Sequence, residues 1–184
     1  MTSSAGRPSS RDKLLDAAIT IVTERGVQHL TIEAVAEEAG VTKAGLIYHF
    51  KTRDELLAAL VERMAGDVEL QSTGRAPLQA DVSPRVLIDS LEKFIFNMKP
   101  AQKRLLTNML AAVSTHPQFV SAAQPLYERS YECLGHGPAA GLALLLAAAL
   151  DGVQLLEMLN LYTFTPVQRD ALRLALQDLA RTLP

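Results

Sequence analysis

A chain of 184 residues that is 48% hydrophobic can bury a sizeable core in one or two units without metals or cross-links. Its formal charge of -2 supplies no bulk attraction to nucleic acid or to an anionic membrane, so any such partner must be met by a local patch. A single cysteine, Cys133, excludes an internal disulfide and suits a reducing cytosol, and the opening MTSSAGRPSSR is too polar for a secretory signal.

Residues 1–9 read as a short disordered arm, with Arg7 and, just beyond it, Arg11 placed to brush phosphates. An amphipathic helix is expected from about Ser10 to Arg25, with Leu14, Leu15, Ala18, Ile19 and Val22 on one side and a stop at Gly26. Thr31 can then accept a backbone N–H and start a second helix, in which Ile32, Val35, Ala36 and Ala39 recur at spacings of three and four. That helix should end at Gly40, which is free to take positive φ, while Ala36 is small enough to let the next helix approach closely.

Thr42 caps that next helix. With Leu46 set at zero, Phe50 falls about 40° away, whereas Ala44, Tyr48 and Gly45 fall at about 160°, 200° and 260°. Leu46 and Phe50 therefore face inward. The outward side has low relief at Ala44 and Gly45, Tyr48 beyond it, and Lys43 and Ile47 on one flank, which is the shape of a helix that enters a DNA groove. From Ala39 to Arg53 the cations Lys43, Lys51 and Arg53 meet no carboxylate, although residues 1–60 hold seven basic and eight acidic side chains. A capping box at Thr52 and Glu55 opens the following helix and places Lys51 and Arg53 beside its free N–H groups, as a phosphate anchor.

On these residues the segment from about Ser10 to Val61 resembles the DNA-binding domain of the TetR family of transcriptional regulators. The motifs that carry the likeness are LLDAAITIVTERG, TIEAVAEEAGVT and GLIYHFKTRDELL. The resemblance implies that Thr31, Thr42, Lys43, Gly45, Tyr48, His49 and Lys51 occupy positions that meet the duplex. Ile47 stands where the family more often has tyrosine, so an apolar touch to a thymine methyl is expected from it.

No stretch shows sustained period-two alternation, so the fold is expected to be all-α. A three-helix helix-turn-helix DNA-binding domain over residues 10–61 should be followed by a helical ligand-binding and dimerisation domain over residues 62–184. The helix after Thr52 runs on through LLAALVERM to about Leu70, and Gln71 to Ser83 read as a loop. Ser83-Pro84 caps a helix containing Leu87, Leu91, Phe94, Ile95 and Met98, and Pro100 separates it from one holding Leu105, Leu106, Met109 and Val113. Pro117 starts another, Pro125 should kink or split it, and GHGP at 135–138 ends it. The final pair comprises a helix from about Ala139 to Leu161 and one opened by the capping box Thr165-Pro166-Val167-Gln168.

The run from Ala139 to Leu150 is broken by Asp151 and reads as too short to span a bilayer, so no membrane partner is expected. That helix is apolar around most of its circumference, and the last carries Leu172, Leu176 and Leu179 as a stripe. The two can pair with their copies in a four-helix bundle, as the resemblance also implies, or close a monomeric core. A homodimer would hold its two groove-reading helices about 34–36 Å apart and so call for a near-palindromic double-stranded operator. A small, largely apolar effector that prefers one form of the helical body would then release the DNA, the logic of a cytoplasmic repressor.

For that effector the candidate residues are Phe94, Met98, Met109, Phe119, Tyr127, Tyr131, Met158 and Tyr162, with His116 at the mouth, although the same side chains can simply fill a core. Asp151 amid alanines and leucines needs a partner: a ligand cation, a backbone N–H or a residue of a second subunit. The resemblance implies that this Asp-Gly step recurs in such C-terminal domains. Phosphate-binding glycine loops and an HExxH motif are absent, and Cys133 with His136 is a lone spacing, so neither catalysis, a cofactor nor a metal is expected. The contrasting reading is an architectural or protein-docking module that keeps the helix-turn-helix and takes no small molecule.

Overall fold

The computed structural model describes residues 9–73, 82–112 and 118–184. Among the described residues all regular structure is helical: α1 (Ser10–Arg25), a 3-10 turn (Val27–His29), α2 (Ile32–Glu38), α3 (Lys43–His49), α4 (Arg53–Thr73), α5 (Pro84–Phe96), α6 (Pro100–Ala112), α7 (Gln118–Leu134), α8 (Ala140–Met158) and α9 (Pro166–Ala180). The chain divides into two compact units, Met1–Arg63 with Arg104–Ala122, and Met64–Lys103 with Ala123–Pro184.

In the first unit local chemistry sets each helix boundary. Ser9 Oγ accepts the Asp12 N–H at 3.1 Å and the Asp12 carboxylate accepts the Ser9 N–H at 3.3 Å, a reciprocal cap for α1. The Ser9 hydroxyl also donates to Asp12 Oδ2 at 2.7 Å, and this bond, with the weaker one from the Ser9 N–H, holds the Asp12 carboxyl below its usual value. The helix stops at Gly26, whose φ of 89° would strain any residue with a Cβ. Leu14, Leu15, Ile21 and Val22 of α1 join Leu30, Val35, Leu46, Leu56, Leu57 and Leu60 in a core whose members are at most 1% exposed. Ile21 takes the place expected of Ile19, which is only half-buried because it lies one step further round the helix.

Arg53 acts as an internal clamp. Its Nε donates to the Leu30 carbonyl at 2.7 Å and Nη2 to the Val27 carbonyl at 2.9 Å, so the start of α4 is tied to the 3-10 turn. Asn108 of α6 similarly donates to the Val22 carbonyl at 2.8 Å, at the end of α1.

The second unit is centred on α5, α8 and α9, with Leu87, Ile88, Ile95, Leu134, Leu146, Leu150 and Leu176 in one buried cluster. The inner side of α9 is not only apolar. Arg169 donates to the carbonyls of Phe96 and Ile95, both at 3.1 Å, satisfying the end of α5, and reaches Glu157 at 3.0 Å. Arg173 bonds the buried Glu92, which also accepts from Gln177 at 3.1 Å. Leu172 and Leu176 turn into this core, whereas Leu179 of the expected stripe is 46% exposed.

Several boundaries differ from expectation. Gln71–Thr73 continue α4, and the rest of the expected loop, residues 74–81, lies outside the described residues. Met98 falls beyond the end of α5, and Val113 and Pro117 lie outside the described residues. Pro125 does not split α7, which runs on from Gln118 to Leu134. A proline removes one internal hydrogen bond, and α7 has further turns on both sides to offset it. As the expected helix from about Ala139 to Leu161 had it, α8 runs through Asp151 to Met158, and at 19 residues it is, by length and composition alone, long and apolar enough to cross a bilayer. Ala143, Leu146, Ala147, Leu150 and Val153 on its inner side are at most 6% exposed, which is the role of a core helix.

Candidate nucleic-acid interface

α3 presents its outer face because its inner face is firmly held. Thr42 Oγ1 accepts the Gly45 N–H at 3.1 Å, and a Cβ at Gly45 would come within 3.3 Å of that same oxygen. Leu46 is 0% and Phe50 3% exposed, so both anchor the helix from below. Tyr48 is 85% exposed, its ring edge-on to the half-buried His49 at 5.1 Å. Ala44, Gly45 and Ile47 complete the open face, and Thr31, Thr42, Lys43 and Lys51 are exposed around it. Of the α3 residues expected to meet the duplex, His49 is half-buried and the others are exposed.

Two cations behave differently from the sequence expectation. Lys43 is not in an acid-free field, because Glu33 at the start of α2 reaches its ammonium at 2.5 Å. That hydrogen bond holds the Glu33 carboxyl below its ordinary value. Arg53, expected as a phosphate anchor, is engaged with the internal carbonyls described above. Lys51 keeps an exposed side chain while its N–H donates to Glu55 at 2.7 Å, and Thr52 accepts the Glu55 N–H at 3.1 Å. The Arg11 guanidinium lies 5.2 Å over the Phe50 ring, so an exposed cation of α1 stands close to the end of α3. Arg7 lies outside the described residues.

The expected effector residues are dispersed. Phe94 and Tyr131 pack partly buried on the core of the second unit, Met158 is buried at 6% and Met98 is half-buried. Met109 is buried at 7% in the part of α6 that belongs to the first unit. His116 lies outside the described residues, and Phe119 is described only as a position on α7. Tyr162 is taken up by the turn into α9, where its ring meets Phe164 edge-on at 4.9 Å and its hydroxyl accepts from Gln168 at 3.0 Å.

What the fold does bring together is Asp151 with Tyr131. The Tyr131 hydroxyl donates to Asp151 Oδ2 at 2.7 Å, so the acid's partner is a phenol of the same chain, an option its sequence context did not offer. Burial raises the Asp151 carboxyl above its ordinary value despite that bond. Burial and then the hydrogen bond to Asp151 push the Tyr131 phenol upward as well. Tyr127 lies one helical turn earlier, half-exposed, and desolvation followed by the Asp151 charge raises its phenol too.

Residues 14–60 match the family described as bacterial regulatory proteins, tetR family, and residues 90–181 match the tetracyclin repressor-like C-terminal domain. The chain belongs to the TetR family. Among its relatives, the HTH-type transcriptional repressor KstR2 of Rhodococcus jostii (strain RHA1) is 29% identical over 113 residues, covering 56% of this chain and 55% of that protein. The chain thus spans about half the length of that curated relative. The solved multidrug binding protein EbrR, complexed with imidazole, is 26% identical, with a TM-score of 0.68 and 97% of each chain covered. A TetR-family member of Streptomyces coelicolor A3 is 27% identical, with a TM-score of 0.65, covering 96% of this chain and 99% of its own.

For this TetR-family chain, sequence reasoning missed the reach of Glu33 to Lys43 and the Tyr131–Asp151 pair. Glu33 was legible as an acid in the first turn of α2, but only the tight turn at Gly40, φ 64°, returns the chain so that α3 starts beside it. Tyr131 lies 20 residues before Asp151 on a different helix, and no local spacing announces such a contact.

Proposed function

We propose that this TetR-family chain is a transcriptional repressor that binds a near-palindromic operator as a homodimer in the cytoplasm and is released by a small, largely apolar ligand. The observation that carries the DNA-binding part is the exposure of Tyr48 over the low relief of Ala44 and Gly45, on a helix anchored by Leu46 and Phe50. Such a surface can sink into a major groove with Thr31, Thr42, Lys43, Ile47, Tyr48 and Lys51 against bases and phosphates, and with His49 steadying Tyr48. The boundaries proposed are a DNA-binding domain over residues 10–61, preceded by an arm over 1–9 and followed by an effector and dimerisation domain over 62–184.

The homodimer reading draws support from apolar surface on the last two helices. On α8, Leu145, Ala148, Ala149 and Leu156 are exposed at helical spacing, on the side away from the buried cluster, and Leu159 just after its end is exposed too. Val167, Ala171 and Leu174 form an exposed run on α9. A second copy would cover both, and a two-fold arrangement would repeat the groove-reading helix at the spacing that a duplex presents. EbrR, described as a multidrug binding protein, supports the ligand-released part of the reading.

The test is selection of tight-binding duplexes from a random pool, followed by affinity measurement with Tyr48→Ala. Selected sites should be inverted repeats, and the variant should lose about tenfold or more in affinity with its thermal midpoint unchanged. Wild-type affinity in the variant, or sites without symmetry, would overturn the proposal.

A further inference from the structure

We propose that the face formed by Asp151, Tyr131 and Tyr127 is the recognition point for an organic cation with an apolar or aromatic body. The inference rests on the ligand-released reading above and gives the effector its chemical class. It starts from an imbalance of charge. In the second unit the enclosed carboxylates have cationic partners: Glu69 meets Arg129, Glu92 meets Arg173, and Glu157 meets both Lys103 and Arg169. Asp151 is half-buried and forms no ion pair among the described residues; a neutral hydroxyl is its hydrogen-bond partner there.

A desolvated carboxylate without a countercharge is unfavourable, and a cation brought by a ligand would relieve it. The surroundings select the kind of cation. Desolvation and the Asp151 charge hold both phenols in the protonated form, so the set offers one carboxylate and two neutral hydroxyls, too few anionic oxygens for a calcium or magnesium ion. Tyr127 and Tyr131, four apart on α7, lie on the same side of that helix, and rings so placed suit a flat or quaternary cation through their electron-rich faces. Tyr127 is 50% exposed, which leaves the group open to an incoming molecule. On α8, Asp151 lies about 120° around the helix from Leu145, with Ala148 between them, so the cation face borders the face assigned to the second copy.

A merely structural role for Asp151, as a tether of α7 to α8, is served equally well by a neutral amide. The experiment uses that difference. Full-length protein is titrated by fluorescence with ethidium, with malachite green, and with neutral phenanthridine as an uncharged body of related shape, in the wild type and in Asp151→Asn. Both cations should bind the wild type, and Asp151→Asn should weaken them by about tenfold or more while leaving phenanthridine unchanged. Equal losses for charged and neutral probes, no loss in Asp151→Asn, or tighter binding of phenanthridine than of ethidium to the wild type would overturn the proposal. The last comparison needs no variant to fold. Operator binding measured on the same samples separates the outcomes: DNA released by phenanthridine but by neither cation removes the cation and keeps the ligand-released repressor, whereas no operator binding at all removes the reading beneath it.

Discussion

α3 and α8 hold their functional faces by opposite means. α3 hides two hydrophobes and turns small and polar residues to water, so its outer face can change while Leu46 and Phe50 keep the helix in place. α8 buries one side in the core, leaves another apolar side exposed, and keeps a carboxylate between them where water is scarce. Changes on the first surface should therefore alter recognition and spare stability, whereas changes around Asp151 should alter both. In the function proposed above, the contrast also divides the labour: a short helix reads, and a long apolar one assembles and senses.

The most severe break of this division would come from the exposed side of α8 and α9. Leu145 is 63% and Leu174 61% exposed in the single chain, so Leu145→Arg with Leu174→Arg should leave the fold intact but set charges against charges across a two-fold axis. We expect a monomer by sedimentation, with operator affinity lower by about 100- to 10,000-fold because the linked second contact is lost. A double variant that stays dimeric would remove these helices from the interface.

Within α3 the inner and outer faces should separate cleanly. Leu46→Ala should lower unfolding free energy by about 2–5 kcal/mol, the range for emptying a fully buried leucine site. Its neighbour Ile47, 40% exposed, should tolerate the same change with little effect on the denaturation midpoint. Similar losses at both positions would mean that α3 is enclosed on both sides.

How much of this was legible in the sequence follows the same divide. The caps at Thr31, Thr42, Ser83 and Thr165, the stop at Gly26 and the inward pair Leu46 and Phe50 all depend on residues within one or two turns, and the structure has each as expected. Arg53 was misread because its carbonyl partners, Leu30 and Val27, are 23 and 26 residues away. Arg173 and Glu92 are 81 residues apart, and their pairing makes the inner side of α9 partly ionic where its leucines alone predicted an apolar stripe. Pattern reading recovers what the backbone decides locally; it does not see which distant helix will stand opposite.

A smaller effect should expose the strained charge on α8. Because the folded-state carboxyl of Asp151 is raised above its ordinary 3.8, the native chain binds more protons than the unfolded one between those two values. Stability from this group therefore falls as pH rises from 3.8 through the raised value, and stays lower above it. Asp151→Asn removes that slope. In thermal melts the variant should match the wild type near pH 3 and melt higher at pH 7, the gap opening between those limits. A gap of constant size at every pH, or one of the opposite sign, would show that the charge of Asp151 is not penalised in the fold.

The smallest effect belongs to Glu33, and it asks whether Lys43 is restrained or aimed. Both partners are largely exposed, with side-chain accessibilities of 59% for Lys43 and 64% for Glu33, so water and salt already weaken their attraction. Stability should therefore be unchanged in Glu33→Gln at neutral pH. Because the Glu33 carboxyl is held below its ordinary 4.5, the little that the pair contributes is present above that value and disappears as pH falls through the lowered one. DNA binding should respond more than folding. If the carboxylate merely occupies the lysine, its removal frees one positive charge for phosphate, raising operator affinity by up to about fivefold at low salt and steepening the salt dependence by about one counterion. If instead Glu33 holds Lys43 in a base-reading pose, the variant binds its selected operator more weakly and discriminates less against unrelated duplexes. The first result keeps α3 a surface whose charge is tuned from α2; the second makes Glu33 part of the reading head itself.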